Sequence, residues 1–77
     1  MSVIVYSTPT CPFCKQTKAF LLEHKIYFTD IDVMADQDKA REMIQKSGQM
    51  GVPVTDIDGR IVIGFDQKKL KELLKIE

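Results

Sequence analysis

Two cysteines stand close together in Thr10-Cys11-Pro12-Phe13-Cys14, and the chain contains no others. Pro12 fits the first position of a helix, where its missing N–H costs nothing and its fixed φ is already helical, so Cys11 falls at or beside the N-cap. Cys14 then lies about one turn further on, on the same face. A thiol at a helix N-terminus faces unpaired backbone N–H groups and the positive end of the macrodipole, both of which favour the thiolate. This asymmetry predicts two roles in thiol–disulfide exchange. Cys11 is the nucleophile that attacks a substrate disulfide, and Cys14 is the resolving thiol that attacks the mixed disulfide and leaves a Cys11–Cys14 bond.

Three plainer readings compete. A structural staple across so short a ring would stabilise by only about 2 kcal/mol before strain, against about 4.7 for a loop of 100 residues. Zinc needs four ligands, or three plus water, whereas the chain offers two cysteines and one histidine. His24 falls near the far end of the same helix, about 15 Å from the pair at 1.5 Å rise per residue. No metal site is therefore expected within one chain. Chance spacing is the third reading, and the pattern around the pair argues against it.

The pair sits where a strand pattern gives way to a helix pattern. Val3-Ile4-Val5-Tyr6 is a β-branched and aromatic run suited to a strand buried on both faces, and Ser7-Thr8-Pro9-Thr10 reads as a turn. From Pro12 to about His24 a helix is predicted with Phe13, Cys14, Thr17, Phe20 and Leu21 as its buried stripe. Lys15, Gln16, Lys18 and Glu23 face outward. Phe13 has two readings, core packing or exposure beside Cys11, and its apolar ring suits either.

Ile26 to Val33 has period-2 character, with Tyr27, Thr29, Ile31 and Val33 on one face and Phe28, Asp30 and Asp32 on the other. The two aspartates read better as a polar strand face or edge than as paired catalytic carboxylates. With the helix between them, the two strands make a right-handed parallel βαβ unit, the setting in which a cytosolic Cys-x-x-Cys pair reads as redox-active. Asp36 is a plausible N-cap for a second helix running to about Lys46, with Ala40, Met43, Ile44 and Ser47 inward and Ser47-Gly48 as its stop. Met34, Met43 and Met50 are expected as gap fillers rather than ligands.

Val54-Thr55-Asp56-Ile57 and Arg60-Ile61-Val62-Ile63 are short strands around Asp58-Gly59, a strong hairpin signal because both positions tolerate positive φ. Asp66 N-caps a third helix buried through Leu70, Leu73 and Leu74, with Phe65 stapled onto Leu70. The predicted fold is α/β in the order βαβαββα, a four-stranded mixed sheet with helices on both faces.

Seventy-seven residues allow one domain, residues 1–77, that buries about 60–65% of its unfolded surface. Eleven basic residues balance eleven acidic ones, so no net field recruits nucleic acid or an acidic membrane. No apolar run approaches the ~18 residues of a membrane span, and Met1-Ser2-Val3 lacks the basic start of a signal peptide. The expected setting is a reducing cytoplasm, where a cysteine pair cycles rather than staying oxidised, and the expected state is a monomer.

Val52-Pro53 immediately precedes the third strand, where pattern alone makes proline a strand start. Here the chain resembles, over essentially its whole length, the glutaredoxin family of the thioredoxin fold, dithiol type. Three motifs carry the likeness in order: Cys11-Pro12-Phe13-Cys14 is close to Cys-Pro-Tyr-Cys, Gly51-Val52-Pro53 to Thr-Val-Pro, and Gly64-Phe65-Asp66 precedes the last helix. The resemblance implies a minimal thioredoxin fold with a cis Pro53 against the Cys11–Cys14 pair, and Val52 pairing its backbone with extended substrate. It implies glutathione as co-substrate, with no bound cofactor. The γ-glutamyl carboxylate would rest at the third helix's N-terminus, near Gly64, on backbone N–H groups of Phe65 and Asp66. Asp66 would also meet its ammonium. Gln49 and Lys15 are candidates for the glycyl carboxylate, with a solvated surface role as the alternative for each. Phe13, Val52 and Phe65 would surround the pair on any partner surface.

The chain departs from the family's pattern in three places. It has Ser7-Thr8-Pro9-Thr10 where many glutaredoxins carry a basic residue, Ile63-Gly64 where they often have Gly-Gly, and Gly51 for Thr. Each change touches glutathione recognition and leaves the disulfide chemistry intact. The first expectation is thus an oxidoreductase that reduces protein or glutathione mixed disulfides and is recycled by glutathione. The second is a redoxin reduced by thioredoxin reductase that supplies an enzyme such as ribonucleotide reductase. The third, from another class, is an iron–sulfur carrier in which two chains and glutathione share a cluster through Cys11. Carriers of that type usually have a single active cysteine, so Cys14 argues against it.

Overall fold

The computed structural model describes residues 2–76. Strand β1 (Val3–Ser7) leads into helix α1 (Pro12–Glu23), and strand β2 (Thr29–Asp32) into helix α2 (Gln37–Ser47). Strands β3 (Val54–Ile57) and β4 (Arg60–Ile63) follow, then helix α3 (Gln67–Leu74). The sheet order is β2-β1-β3-β4, with β2 parallel to β1 and both other pairings antiparallel. This is the βαβαββα order and mixed sheet predicted from the patterns. No helix among the described residues is long and apolar enough to cross a membrane.

Period-2 alternation along β1 splits the core into two layers. Val3 and Val5 join Phe20 and Leu21 of α1 and Leu70 and Leu74 of α3 on one face, with Ile57 and Val62 from the hairpin. Tyr6 points to the other face, where Met43 of α2 and Val54 complete a smaller cluster flanked by Ile4, Ile31, Ile44 and Val52. Helices therefore cover both faces, α1 and α3 together and α2 alone.

The second strand is shorter than its pattern. The chain leaves α1 through Lys25 at φ 58, and Ile26 N–H donates to Leu21 O at 2.8 Å, so Ile26 is tied to the helix rather than to a ladder. Ile26 and Phe28 pack onto the α1/α3 layer, while Tyr27 stands 96% exposed. Strand pairing starts only where Thr29 meets Ile4. The helix boundaries follow the capping chemistry closely. Asp36 accepts from Asp38 and Lys39 N–H groups, α2 stops at Gly48 with φ 76, and Asp66 accepts from Lys69 N–H. Asp58 and Gly59 both take positive φ in the hairpin. Of the three methionines expected to fill gaps, only Met43 does so. Met34 and Met50 lie on loops and are exposed, because no element covers those turns.

The α2 face also carries a polar network. Lys46 Nζ donates to Asp56 Oδ2 and to the Tyr6 hydroxyl, each at 2.8 Å, and Tyr6 donates to Glu42 Oε2 at 2.9 Å. The Asp56 bond foremost, then Tyr6, holds the Lys46 ammonium well above the usual lysine range, against the opposing effect of burial. A raised folded-state value stabilises at all pH below the ordinary lysine range and is lost only as alkali titrates the folded group. Asp56 is buried, and its second oxygen accepts from Gly59 N–H at 2.7 Å. Lys46→Met should therefore lower stability by about 1–3 kcal/mol, as expected for a buried polar group left without its partner. The double variant Lys46→Met/Asp56→Asn should recover part of that loss, since the amide keeps the Gly59 bond without a buried charge. Urea denaturation midpoints near neutral pH would measure both.

Candidate active site

The strand-to-helix junction after β1 builds the site. Cys11 takes the N-cap of α1 with an extended backbone, φ −91 and ψ 114, and Pro12 occupies the first turn. The Cys14 N–H donates to Cys11 Sγ at 3.1 Å, so the sulfur does the work of a capping oxygen. Cys11 N–H donates to Thr8 O at 3.4 Å and closes the preceding turn. No bond joins the two sulfurs; Cys11 is half-buried and Cys14 is without exposure. Phe13 is 59% exposed, which decides its two readings in favour of the surface beside Cys11. Lys15 also faces outward.

Burial pushes the Cys14 thiol up to about 11, helped by its hydrogen bond with Cys11. The backbone N–H of Thr8 and the charge of Lys18 pull the other way without cancelling this rise. Lys18, assigned outward by its pattern, lies across the helix-strand boundary. Its Nζ donates to Asp30 Oδ2 at 2.9 Å and reaches Ser7 Oγ at 3.5 Å, while Ser7 donates to Asp30 Oδ1 at 2.7 Å. Burial alone would raise the Asp30 carboxyl, but the bonds from Ser7 and Lys18 outweigh it and hold it below the usual carboxylate value. Sequence reasoning missed this cluster at the foot of the cysteine helix. Its signal was present in the i,i+4 spacing of Cys14 and Lys18, together with an aspartate on the strand that the crossover makes parallel to β1.

The second half of the site comes from the loop after α2. The Val52–Pro53 bond is cis, Pro53 is buried, and Cys11 Sγ lies 3.8 Å from Val52 O. Pro53 O accepts from Gly64 N–H at 2.9 Å, which ties this loop to the turn before α3. Gly64 takes φ +74, a conformation that glycine supplies without strain. Phe65 packs against Phe20, ring centroids 6.0 Å apart in an edge-to-face arrangement, so its ring belongs to the α1/α3 layer. Asp66 is exposed and caps α3 through Lys69 N–H at 3.1 Å. The carboxamide of Gln49 turns back on its own loop and bonds both backbone groups of Gly51. The structure thus brings Cys11, Cys14, Val52 and Pro53 together and links Gly64 to them through the backbone.

Among the described residues, no group of three or more His, Cys, Asp or Glu is arranged to hold a metal ion. A cleft of about 340 Å³ lined by Ser2, Val3, Tyr27, Phe28 and Thr29 lies at the opposite end of β1 from the cysteines.

The Glutaredoxin family model matches residues 3–62. A glutaredoxin-like 8.6 kDa protein in the rubredoxin operon of Clostridium pasteurianum is 45% identical over 71 residues, 92% of this chain and 95% of that one. The glutaredoxin-like protein NrdH of Lactococcus lactis is 35% identical over 92% of this chain and 97% of its own. Among solved structures, a crystal structure of a variant of the thioredoxin-like protein BC3987 superposes with a TM-score of 0.93. It has 33% identity and covers 99% of this chain and 97% of that one.

The unequal exposure of the two thiols has a direct readout. Near neutral pH the folded, reduced protein should take up one equivalent of iodoacetamide, on Cys11. Cys14 should react only in denaturant or as pH approaches its raised value of about 11, as intact mass and peptide mapping would report.

Proposed function

The chain belongs to the glutaredoxin family and is a thiol–disulfide oxidoreductase, and from that premise we propose that Cys11 is its nucleophile, Cys14 its resolving thiol and glutathione its reductant. One observation carries the assignment of roles: Cys11 is partly exposed at the helix N-cap, its Sγ 3.8 Å from Val52 O, whereas Cys14 is fully buried.

The chemistry proceeds in two exchanges. The Cys11 thiolate attacks one sulfur of a substrate disulfide, forming a mixed disulfide and expelling the other sulfur as a thiolate that takes up a proton. Cys14 then gives up its proton, attacks Cys11 Sγ and expels the second substrate thiolate. Two electrons have passed to the substrate, and the Cys11–Cys14 disulfide remains. In the reduced protein the raised Cys14 thiol stays protonated near neutral pH, so the buried thiol does not compete for substrate. Phe13 and the Val52 backbone flank the incoming segment, Val52 pairing with it as an added strand against Pro53. Protein disulfides and glutathione mixed disulfides are the proposed substrates, in a reducing cytoplasm where such a pair cycles.

Two glutathione molecules would return the electrons and leave as glutathione disulfide. The γ-glutamyl carboxylate would rest on the α3 N-terminus at Phe65 and Asp66, with Gly64 allowing close approach and Asp66 facing the ammonium. Lys15 is the remaining candidate for the glycyl carboxylate. A second reading, reduction by a thioredoxin reductase, is favoured by two observations. The Gln49 carboxamide is occupied by Gly51, and Ile63, 51% exposed, stands where many relatives of the family have glycine.

NADPH consumption with a disulfide substrate separates the donors. Turnover with glutathione plus glutathione reductase, and none with thioredoxin reductase alone, is the expected result; the reverse pattern would remove the glutathione site from Gly64, Phe65 and Asp66. Under either donor, Cys11→Ser should abolish activity. Cys14→Ser should retain reduction of glutathione mixed disulfides, which requires only the first thiol.

A further inference from the structure

Five residues link the end of α2 to Pro53, and two side chains, Ser47 and Gln49, bond to their backbone. Gln49 Nε2 donates to Gly51 O at 2.9 Å, and Gly51 N–H donates to Gln49 Oε1 at 3.1 Å. A primary amide offers the same donor and acceptor spacing as a peptide group, so Gln49 meets Gly51 as a neighbouring strand would. Gln49 is itself anchored, its N–H donating to the Ser47 hydroxyl at 3.3 Å where α2 ends. Glycine at position 51 leaves room for the carboxamide. A Cβ on residue 51 would stand 2.9 Å from Gln49 Oε1, closer than real contacts allow, so any larger residue there pushes the carboxamide away. The next carbonyl along the chain, Val52 O, is the one 3.8 Å from Cys11 Sγ.

We propose that Gln49 is a positioning residue of this site: with Gly51 it forms a clamp that presents the Val52 backbone to an extended polypeptide flanking the disulfide, and so favours polypeptide disulfides over small ones. The proposal rests on the reading that Val52 pairs with substrate. Its physical basis is preorganisation. A loop already held in its paired conformation does not have to be ordered when the polypeptide docks, and the gain is confined to substrates that have a backbone to pair. A small disulfide makes no such bonds and draws no benefit.

The test compares a disulfide joining two short peptides with bis(2-hydroxyethyl) disulfide, each reduced by the dithiothreitol-maintained protein, in wild type, Gln49→Ala, Gln49→Glu and Gly51→Thr. Losing the two clamp bonds should raise KM for the peptide disulfide roughly three- to tenfold more than KM for the small disulfide, with kcat moving less than KM. Gln49→Glu keeps the acceptor for Gly51 N–H and loses the donor, so it should fall between wild type and Gln49→Ala. A thermal melt of each variant monitors folding. Equal losses on both substrates, or no change in the ratio, would overturn the proposal. A peptide N-methylated at the amide beside its cysteine separates the two layers of the argument. If wild type tolerates that methyl group, the pairing at Val52 fails and takes the clamp with it; if wild type rejects it and Gln49→Ala keeps the full peptide preference, pairing stands and the clamp alone is wrong.

Discussion

The hydrogen bond from Cys14 N–H to Cys11 Sγ, 3.1 Å long, joins the start of a helix to the reactivity of a sulfur. Every helix begins with N–H groups that have no partner within it. In this chain a thiol fills the capping place that serine or aspartate usually takes, so the bond that begins α1 also aims a backbone dipole at Cys11. Cys14, one turn further in, is carried under the surface by the packing of Phe20 and Leu21 against β1. The accessible thiol and the buried one are two consequences of a single helix start and the face it buries.

The other half of the site is held from the opposite side of the sheet. Val52 and Val54 pack with Tyr6 and Met43 beneath α2, while α1 belongs to the layer it shares with α3. The sheet lies between these two cores, and on it Tyr6 of β1 pairs with Val54 of β3, the residue that follows Pro53. The short separation of Cys11 Sγ and Val52 O is therefore set by strand pairing, with each partner steadied by a different hydrophobic layer. The Gly64 bond to Pro53 O adds the turn before α3 to the same frame. A perturbation of either layer should be felt at the sulfur through the register of the two strands.

Much of this was legible in the chain because the signals are local. Capping residues Cys11, Asp36 and Asp66, the Asp58-Gly59 turn and the stop at Gly48 each act within a few residues, and each appears where its chemistry places it. The stripe Cys14, Thr17, Phe20 and Leu21 was visible for the same reason, since helical periodicity alone defines a face. Reading failed where two distant segments share a side chain. Lys18 looked like a solvent-facing residue of α1 until the parallel crossover set Asp30 beside it. Ile26 looked like a strand residue until its N–H was taken by Leu21 O. Gln49 offered no period or motif to show that its carboxamide would close on Gly51.

By itself the sequence determined the order of elements, the placing of the cysteine pair at a helix start and the unequal situation of its two thiols, because these follow from backbone geometry and side-chain type over short stretches. Tertiary structure alone decided which surfaces the pair would meet. Phe13 went to the outside, Phe65 onto the edge of the α1/α3 layer against Phe20, and Val52 O to within reach of Cys11 because strand order and the two-sided packing bring together residues about forty positions apart. Contacts of that range depend on how the whole sheet closes, and no local pattern encodes them.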